Sequence, residues 1–348
     1  MPLEPRLGKA VLASVLLGCS SPVITIVTSL GYRDPFVISA NGDDNHLTKK
    51  FKSAMSGGVQ SDHHLILQAF GAWDTGRSGS WPVGKIMSIP TLQYIRDVKR
   101  QIIDHLHKCN LKPRDHNSND WNLIRACLGI GSFPNVGRMA NPRASGRRQK
   151  MQFNVISAPE RKIFQAANSS MYVENGHGES ANEWVIFDEM YQIARGAVPN
   201  LKTVTAIPVL PVALFGGIDR PVIRTDEDEV YLQWNQVNLK LACPDKHIAL
   251  KFAHLHRDWN AFFNYALETR NTQDDGLVQV ITTLLSADAQ VPISFTGGNQ
   301  GGRHRDDRNS GRYFRGAFNR GGGRGRGRGR GGFRGGYRQN AANFANYS

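Results

Sequence analysis

The 348-residue chain has a net charge of +14 and 40% hydrophobic residues, enough to bury real cores in about two domains with a tail to spare. The charge is uneven: residues 297–348 hold twelve arginines against Asp306 and Asp307, so ten of the fourteen net charges sit there and the body is only mildly basic. That excludes a uniformly polycationic protein and points the terminal segment at a polyanionic partner, while four isolated cysteines without a CxxC pair exclude a disulfide framework and suit a reducing compartment.

The first half reads as helical. Pro5 to Leu17 is an apolar helix ended by Gly18. Arg6, Lys9, the run Ala10 to Leu17 and Gly18-Cys19 also have the outline of an export signal with a lipoprotein box. The run is short and a second apolar segment, Pro22 to Leu30, follows it, which favours the buried helix. No segment is long enough to span a bilayer, so no membrane is expected. Ser21-Pro22 is a start signal for the second helix, Gly31 stops it and Pro35 prevents its restart. A third helix covers about 45–55, before Gly57-Gly58. Ser61 then caps a helix with Leu65, Ile66, Ala69, Phe70 and Trp73 on one face, more a packing face than a contact face. Leu92, Ile95, Ile102, Ile103 and Leu106 mark a long amphipathic helix; Trp121, Ile124 and Leu128 mark another. On the long helix His105 and Cys109 share a face, and two ligands do not make a structural zinc site.

Around residue 131 short β-favouring runs begin: 151–156, 171–173, 184–187, 203–207 and 209–215, spaced as in a small barrel or sandwich. Beyond Tyr231 the pattern turns helical again, with Ile248, Phe252, Leu255, Trp259, Phe262 and Ala266 on one face and a last helix over about 277–286. Residues 297–348 hold sixteen glycines and almost no aliphatic residue, so they cannot bury enough apolar area to offset chain entropy and are expected to be disordered.

Two stretches raise the question of a nucleotide-driven motor. Residues 79–86, Gly-Ser-Trp-Pro-Val-Gly-Lys-Ile, come within one residue of GxxxxGK[ST], and Asp188-Glu189 end an apolar strand. The loop has Ile86 where magnesium needs a hydroxyl, Pro82 inside the would-be cradle, and a helix rather than a strand before it. Without a phosphate loop the two carboxylates read as a strand edge, solvated or met by an arginine such as Arg195. No strand–helix alternation surrounds them, and no catalytic residues are assigned.

Several segments in order resemble the helicase-associated region of DEAH/RHA-type RNA helicases. They are Glu4-Pro5-Arg6-Leu7-Gly8-Lys9, Gly18-Cys19 to Ile26, Tyr32-Arg33-Asp34-Pro35-Phe36, Ser61-Asp62-His63-His64-Leu65 through Trp73, and Trp121-Asn122 through Gly131-Ser132-Phe133-Pro134-Asn135-Val136. The strand with Asp188-Glu189 and the segment Thr203 to Gly217 continue the likeness, which covers about residues 3–290. The Gly/Arg-rich end is similar to that of RNA helicase A and its maleless relatives. The resemblance implies an α+β protein: a helical, ratchet-like domain over 1–130, an OB-fold β-barrel with flanking C-terminal helices over 131–290, and a disordered tail over 291–348. It implies participation in ATP-driven RNA unwinding, with ATP and magnesium bound only through RecA-like motor domains that this chain does not contain. It also implies a nuclear or cytoplasmic location.

The expected RNA contacts are of two kinds. In the tail, Arg312, Arg315, Arg320, Arg324, Arg326, Arg328, Arg330, Arg334 and Arg338 are interleaved with Tyr313, Phe314, Phe318, Phe333 and Tyr337. Guanidinium groups contact phosphates and stack on bases, the aromatic rings stack without regard to sequence, and glycine lets the backbone follow the strand. In the body, Arg138, Arg143, Arg147, Arg148 and Lys150 form a basic loop entering the expected barrel. The expected function is non-specific capture and channelling of single-stranded RNA for a motor supplied elsewhere. The rivals are a stand-alone RGG/OB RNA-binding or condensate protein, and an ATPase using residues 79–86 and 188–189.

Overall fold

A computed structural model describes residues 3–39, 42–79, 81–139, 152–165, 184–216, 220–226, 229–235, 239–272 and 276–287, with backbone only for 158–165. Residues Met1–Gly297 form one compact unit. Helices and antiparallel sheets make it α+β. No described helix is long and apolar enough to cross a membrane.

The helical layer comes first. Helix α1 (Pro5–Leu17) has proline in its first turn and ends at Gly18, whose φ of 74° is left-handed. Helix α2 (Ser20–Leu30) starts one residue before the expected cap: Cys19 precedes it without a side-chain cap. The first-turn amides find partners across space instead, Ser20 N–H donating to the Arg114 carbonyl and Ser21 N–H to Asp115 Oδ1 at 2.6 Å. The Ser21 hydroxyl accepts from Lys99 Nζ at 2.8 Å. Helix α3 spans Gly42–Ser56. Helix α4 (Asp62–Asp74) is capped by Ser61, whose hydroxyl accepts from His64 N–H at 2.9 Å. A single turn, α5 (Val83–Ile86), precedes α6 (Ile89–Lys108), capped by Ser88, and α7 (Trp121–Ser132), capped by Asp120.

Helix α1 packs along α7 so closely that a Cβ at Gly131 would lie 2.7 Å from both Ala10 Cβ and the Arg6 carbonyl oxygen. Glycine is required there by space. The main core runs from Leu7 and Val11 through Ile124 and Ile130 to Trp184, Ile207 and Trp259 without interruption at residue 130. A smaller core gathers Phe36, Phe51, Phe70, Ile86 and Leu92, so Phe70 packs inward as expected.

Five strands then close a barrel in the order β1-β2-β3-β5-β4: β1 (Val136–Met139), β2 (Gln152–Val155), β3 (Ala158–Gln165), β4 (Trp184–Tyr191) and β5 (Asn200–Ile207). The β3–β5 pair, Phe164 opposite Asn200, is parallel and the others are antiparallel. Alternation along β4 divides its residues between two cores: Val185 and Phe187 join Phe153, Leu201 and Val204 inside the barrel, while Trp184 and Ile186 face the main core.

The remaining elements depart from expectation in two places. Residues 209–215, expected as a strand, are helix α8 (Val209–Phe215). Pro208 ends β5 and stands at the helix start, and a short apolar run fits a buried helix as well as a strand. Beyond Tyr231 the chain is not yet helical: β6 (Val222–Asp226), β7 (Glu229–Trp234) and β8 (Leu239–Cys243) form a three-stranded antiparallel sheet. One of its faces, with Leu232, Trp234 and Leu239, is buried in the main core. Helices α9 (Lys246–Thr269) and α10 (Leu277–Ser286) complete the unit. The expected strand at 171–173 lies outside the described residues.

Candidate nucleic-acid interface

The connections after the barrel's first and fourth strands are the candidates for contact with a nucleic acid. Here the first of these connections is residues 140–151 and the second is the turn between β4 and β5. Arg138, expected in a basic loop, sits instead within β1, paired with Asn154 on one side and Trp184 on the other. It is the outward residue of a strand whose Val136 and Met139 are buried. Arg143, Arg147, Arg148 and Lys150 lie outside the described residues. So do Arg312, Arg315, Arg320, Arg324, Arg326, Arg328, Arg330, Arg334 and Arg338, with Tyr313, Phe314, Phe318, Phe333 and Tyr337.

The β4–β5 turn was not singled out by sequence, and it is the more exposed feature. Tyr191 and Val198 are 38% and 44% exposed, and Ile193 reaches 82%. Arg195 is exposed at its tip. These apolar side chains and the Arg195 cation share one exposed turn.

Asp188 and Glu189 have structural partners other than Arg195. Asp188 is 5% exposed; its Oδ1 accepts from Arg6 Nη2 at 2.7 Å and its carbonyl from Asn135 Nδ2 at 2.9 Å. Burial pushes the carboxyl above the ordinary carboxylate range, against the pull of the Arg6 guanidinium. Glu189, on the other face of the strand, accepts from Lys202 Nζ at 2.9 Å. Asp188 therefore belongs to a polar seam between the helices and the barrel.

The same seam continues at the start of α4. Thr205 Oγ1 lies 2.6 Å from both Ser61 Oγ and His63 Nδ1. Asp62 Oδ2 accepts from Val204 N–H at 2.9 Å, and Ala206 N–H donates to the Gln60 carbonyl at 3.0 Å. The segment before α4 thus borrows β5 backbone groups as a neighbouring strand would. Thr203, with φ of 53°, turns the chain there. Burial, with Arg6 adding to it, drives the His63 imidazole down to about 3, so it stays neutral at physiological pH. Pairings across more than a hundred residues leave no periodic trace, which is why sequence reading missed the seam.

The near-miss phosphate loop runs into the single turn α5. Its last residue, Ile86, is fully buried in the small core, where the phosphate-loop pattern places a hydroxyl. Among the described residues no group of three or more His, Cys, Asp or Glu could hold a metal ion.

Comparison with known proteins adds a family to this geometry. Residues 4–65, which run from the start of α1 into α4 and include Arg6, Ser61 and His63, match the helicase associated domain (HA2), ratchet-like. The chain is similar to the ATP-dependent DNA/RNA helicase DHX36 of Homo sapiens, 28% identical over 165 residues, 43% of this chain and 16% of that protein. It is similar to the DExH-box ATP-dependent RNA helicase DExH3 of Arabidopsis thaliana, 30% identical over 155 residues, 42% of this chain and 13% of that protein. The DExH-box ATP-dependent RNA helicase DExH6 of the same plant is 23% identical over 225 residues, 62% of this chain and 17% of that protein. The chain spans less than a fifth of the length of these relatives. Residues 4–65 thus carry a ratchet-like helicase-associated domain, and part of the chain is homologous to DEAH-type helicases.

Proposed function

We propose that this chain is the RNA-engaging accessory part of an ATP-dependent RNA helicase of the DEAH/RHA type, which captures and channels single-stranded RNA without sequence preference. The observation that carries the reading is the junction of two modules: the matched ratchet-like helices are joined by a polar seam to a closed five-stranded barrel. The strand order, with one parallel closing pair, supports an OB-fold. OB-folds hold single strands by a charged groove and stacking side chains, with little base-edge readout.

In this reading Arg143, Arg147, Arg148 and Lys150 contact the strand's phosphates, and the β4–β5 turn with Tyr191 and Arg195 and the outward-facing Arg138 contribute to the same binding. The Gly/Arg-rich tail adds a long, salt-sensitive contact and favours the RNA helicase A/maleless branch. ATP and magnesium would act through RecA-like motor domains of the parent helicase. A nuclear or cytoplasmic location accords with such a partner.

The test is fluorescence anisotropy of labelled single-stranded RNA across a salt series, with the full chain and with a chain ending at residue 296. The full chain should bind with a steep salt dependence, each neutralised phosphate contributing a slope of about −0.7. The shorter chain should bind more weakly with a flatter slope and still bind. Absence of binding by both chains would overturn the reading.

A further inference from the structure

The helical layer carries an aromatic cluster that packing does not require. Tyr32, in the turn after α2, stacks on Tyr94 of α6 with ring centroids 4.0 Å apart and 26° between the planes. Both rings remain in water, 44% and 41% exposed. The Arg33 guanidinium carbon lies 5.5 Å from the Tyr32 ring centroid.

The turn that presents them is pinned at both ends. Gly31 N–H donates to the Val27 carbonyl at 3.0 Å and Tyr32 N–H to Ser29 at 3.3 Å. Asp34 Oδ1 accepts from Phe36 N–H at 2.9 Å, and Phe36 is buried against Phe51 in the small core. Ser88 N–H donates to the Pro35 carbonyl and Val37 N–H to the Ile86 carbonyl, each at 2.9 Å. Tyr94 stands on a twenty-residue helix. The rings are therefore held in place before any ligand arrives, so little side-chain entropy remains to be lost on binding.

The surroundings mix charges. Arg100 lies 3.7 Å from Asp97 on the exposed face of α6, and Asp34 follows Arg33. An exposed stack of two aromatic rings with a guanidinium, held by a pinned turn and a long helix, has the composition of a base-stacking platform. Every base presents a π-face to such a platform, and Arg33 can meet either the base or a phosphate.

We infer that Tyr32, Tyr94 and Arg33 form a nucleobase-stacking site for single-stranded RNA on the helical layer. The inference rests on the RNA reading above and places a stacking site on the folded body, apart from the rings of the tail. Because stacking needs a base, the site adds to the discrimination of an intact strand from an abasic backbone of equal length, and its share is what removal of Tyr32 and Tyr94 takes away.

The experiment compares the full chain's affinity for labelled oligouridine and for an abasic oligonucleotide of the same length, at high salt to screen the tail's phosphate contacts. The unmodified chain should prefer oligouridine. The Tyr32→Ala/Tyr94→Ala double variant should lower that preference by about five- to hundred-fold and leave abasic binding unchanged, while the double Phe variant retains it. In parallel, photocrosslinking of the unmodified chain to thiouridine-labelled RNA should yield an adduct on the Tyr32 or Tyr94 peptide, a readout that does not depend on a variant folding. An unchanged preference in a folded Ala variant, or crosslinks confined to other peptides, overturns the site alone. Failure of the unmodified chain to bind either oligonucleotide overturns the RNA reading and the site with it.

Discussion

The barrel interior and the seam that joins the barrel to the helices are built from neighbouring residues of the same strands, by opposite means. Phe187 points inward to Phe153, Leu201 and Val204, and the next residue, Asp188, points out to Arg6. Val204 lies inside and Thr205 reaches Ser61 and His63. The interior is apolar and non-directional, so it stabilises in proportion to the area removed from water. The seam is directional: each donor has one acceptor at hydrogen-bond distance, so a shift by one residue would orphan several buried polar groups at once. An apolar face holds two layers together, and a polar seam fixes how they are set against each other.

The sharpest way to break this comparison is to empty the interior. Phe187→Ala removes a ring that is 1% exposed and should cost about 4 kcal/mol in urea denaturation. A loss under about 1 kcal/mol would mean that the barrel collapses around the hole, and that its interior is not close-packed.

Next comes the seam's charge. Arg6→Ala leaves the Asp188 carboxylate, 4% exposed at its side chain, without its cation, and should cost about 3 kcal/mol. The Arg6→Ala/Asp188→Asn double variant should recover part of that loss, because the uncompensated buried charge is gone. If the double variant is as unstable as the sum of the two single ones, Arg6 and Asp188 do not act as a pair.

The seam also carries a pH signature that the interior lacks. His63 titrates at about 3 in the folded chain against an ordinary 6.5, so below pH 6.5 the unfolded state binds the proton and the folded state does not. Its stabilisation is complete above that pH and falls by about 1.4 kcal/mol per pH unit toward the folded value, roughly 2 kcal/mol lost by pH 5. Denaturation midpoints at pH 7.5, 6 and 5 should show this slope, and His63→Gln should flatten it. The same slope in both chains would remove His63 from the account.

How much of this was legible depended on the distance over which each feature acts. The Ser61 cap, the α6 stripe and the inward face with Phe70 are local patterns of three to seven residues and read directly. The sheet over 222–243 was missed because its alternation, Ile223 and Leu232 inward with Arg224 and Gln233 outward, is broken by the run Asp226 to Glu229. Helix α8 was misread because a seven-residue apolar run carries no period of its own. The candidate site divided in the same way. Basic and aromatic composition pointed to Arg138 and the tail, but the stacking of Tyr32 on Tyr94 joins residues whose neighbours in sequence announce nothing.

The smallest predicted effect lies one residue from Asp188, the carboxylate that Arg6 holds. Glu189 and Lys202 face each other across β4 and β5 with their charged groups 2.9 Å apart, yet their side chains are 55% and 45% exposed. Each ion keeps most of its hydration in the folded state, so pairing gains little and is screened by salt. Glu189→Gln should therefore cost no more than about 0.5 kcal/mol, and less in 1 M sodium chloride. Asp188 and Glu189 are chemically almost the same residue on adjacent positions of one strand, and they differ in which face of it they occupy. If Glu189→Gln proved as costly as Arg6→Ala, burial would not be what separates the seam from the surface, and the distinction between these two faces of β4 would fail.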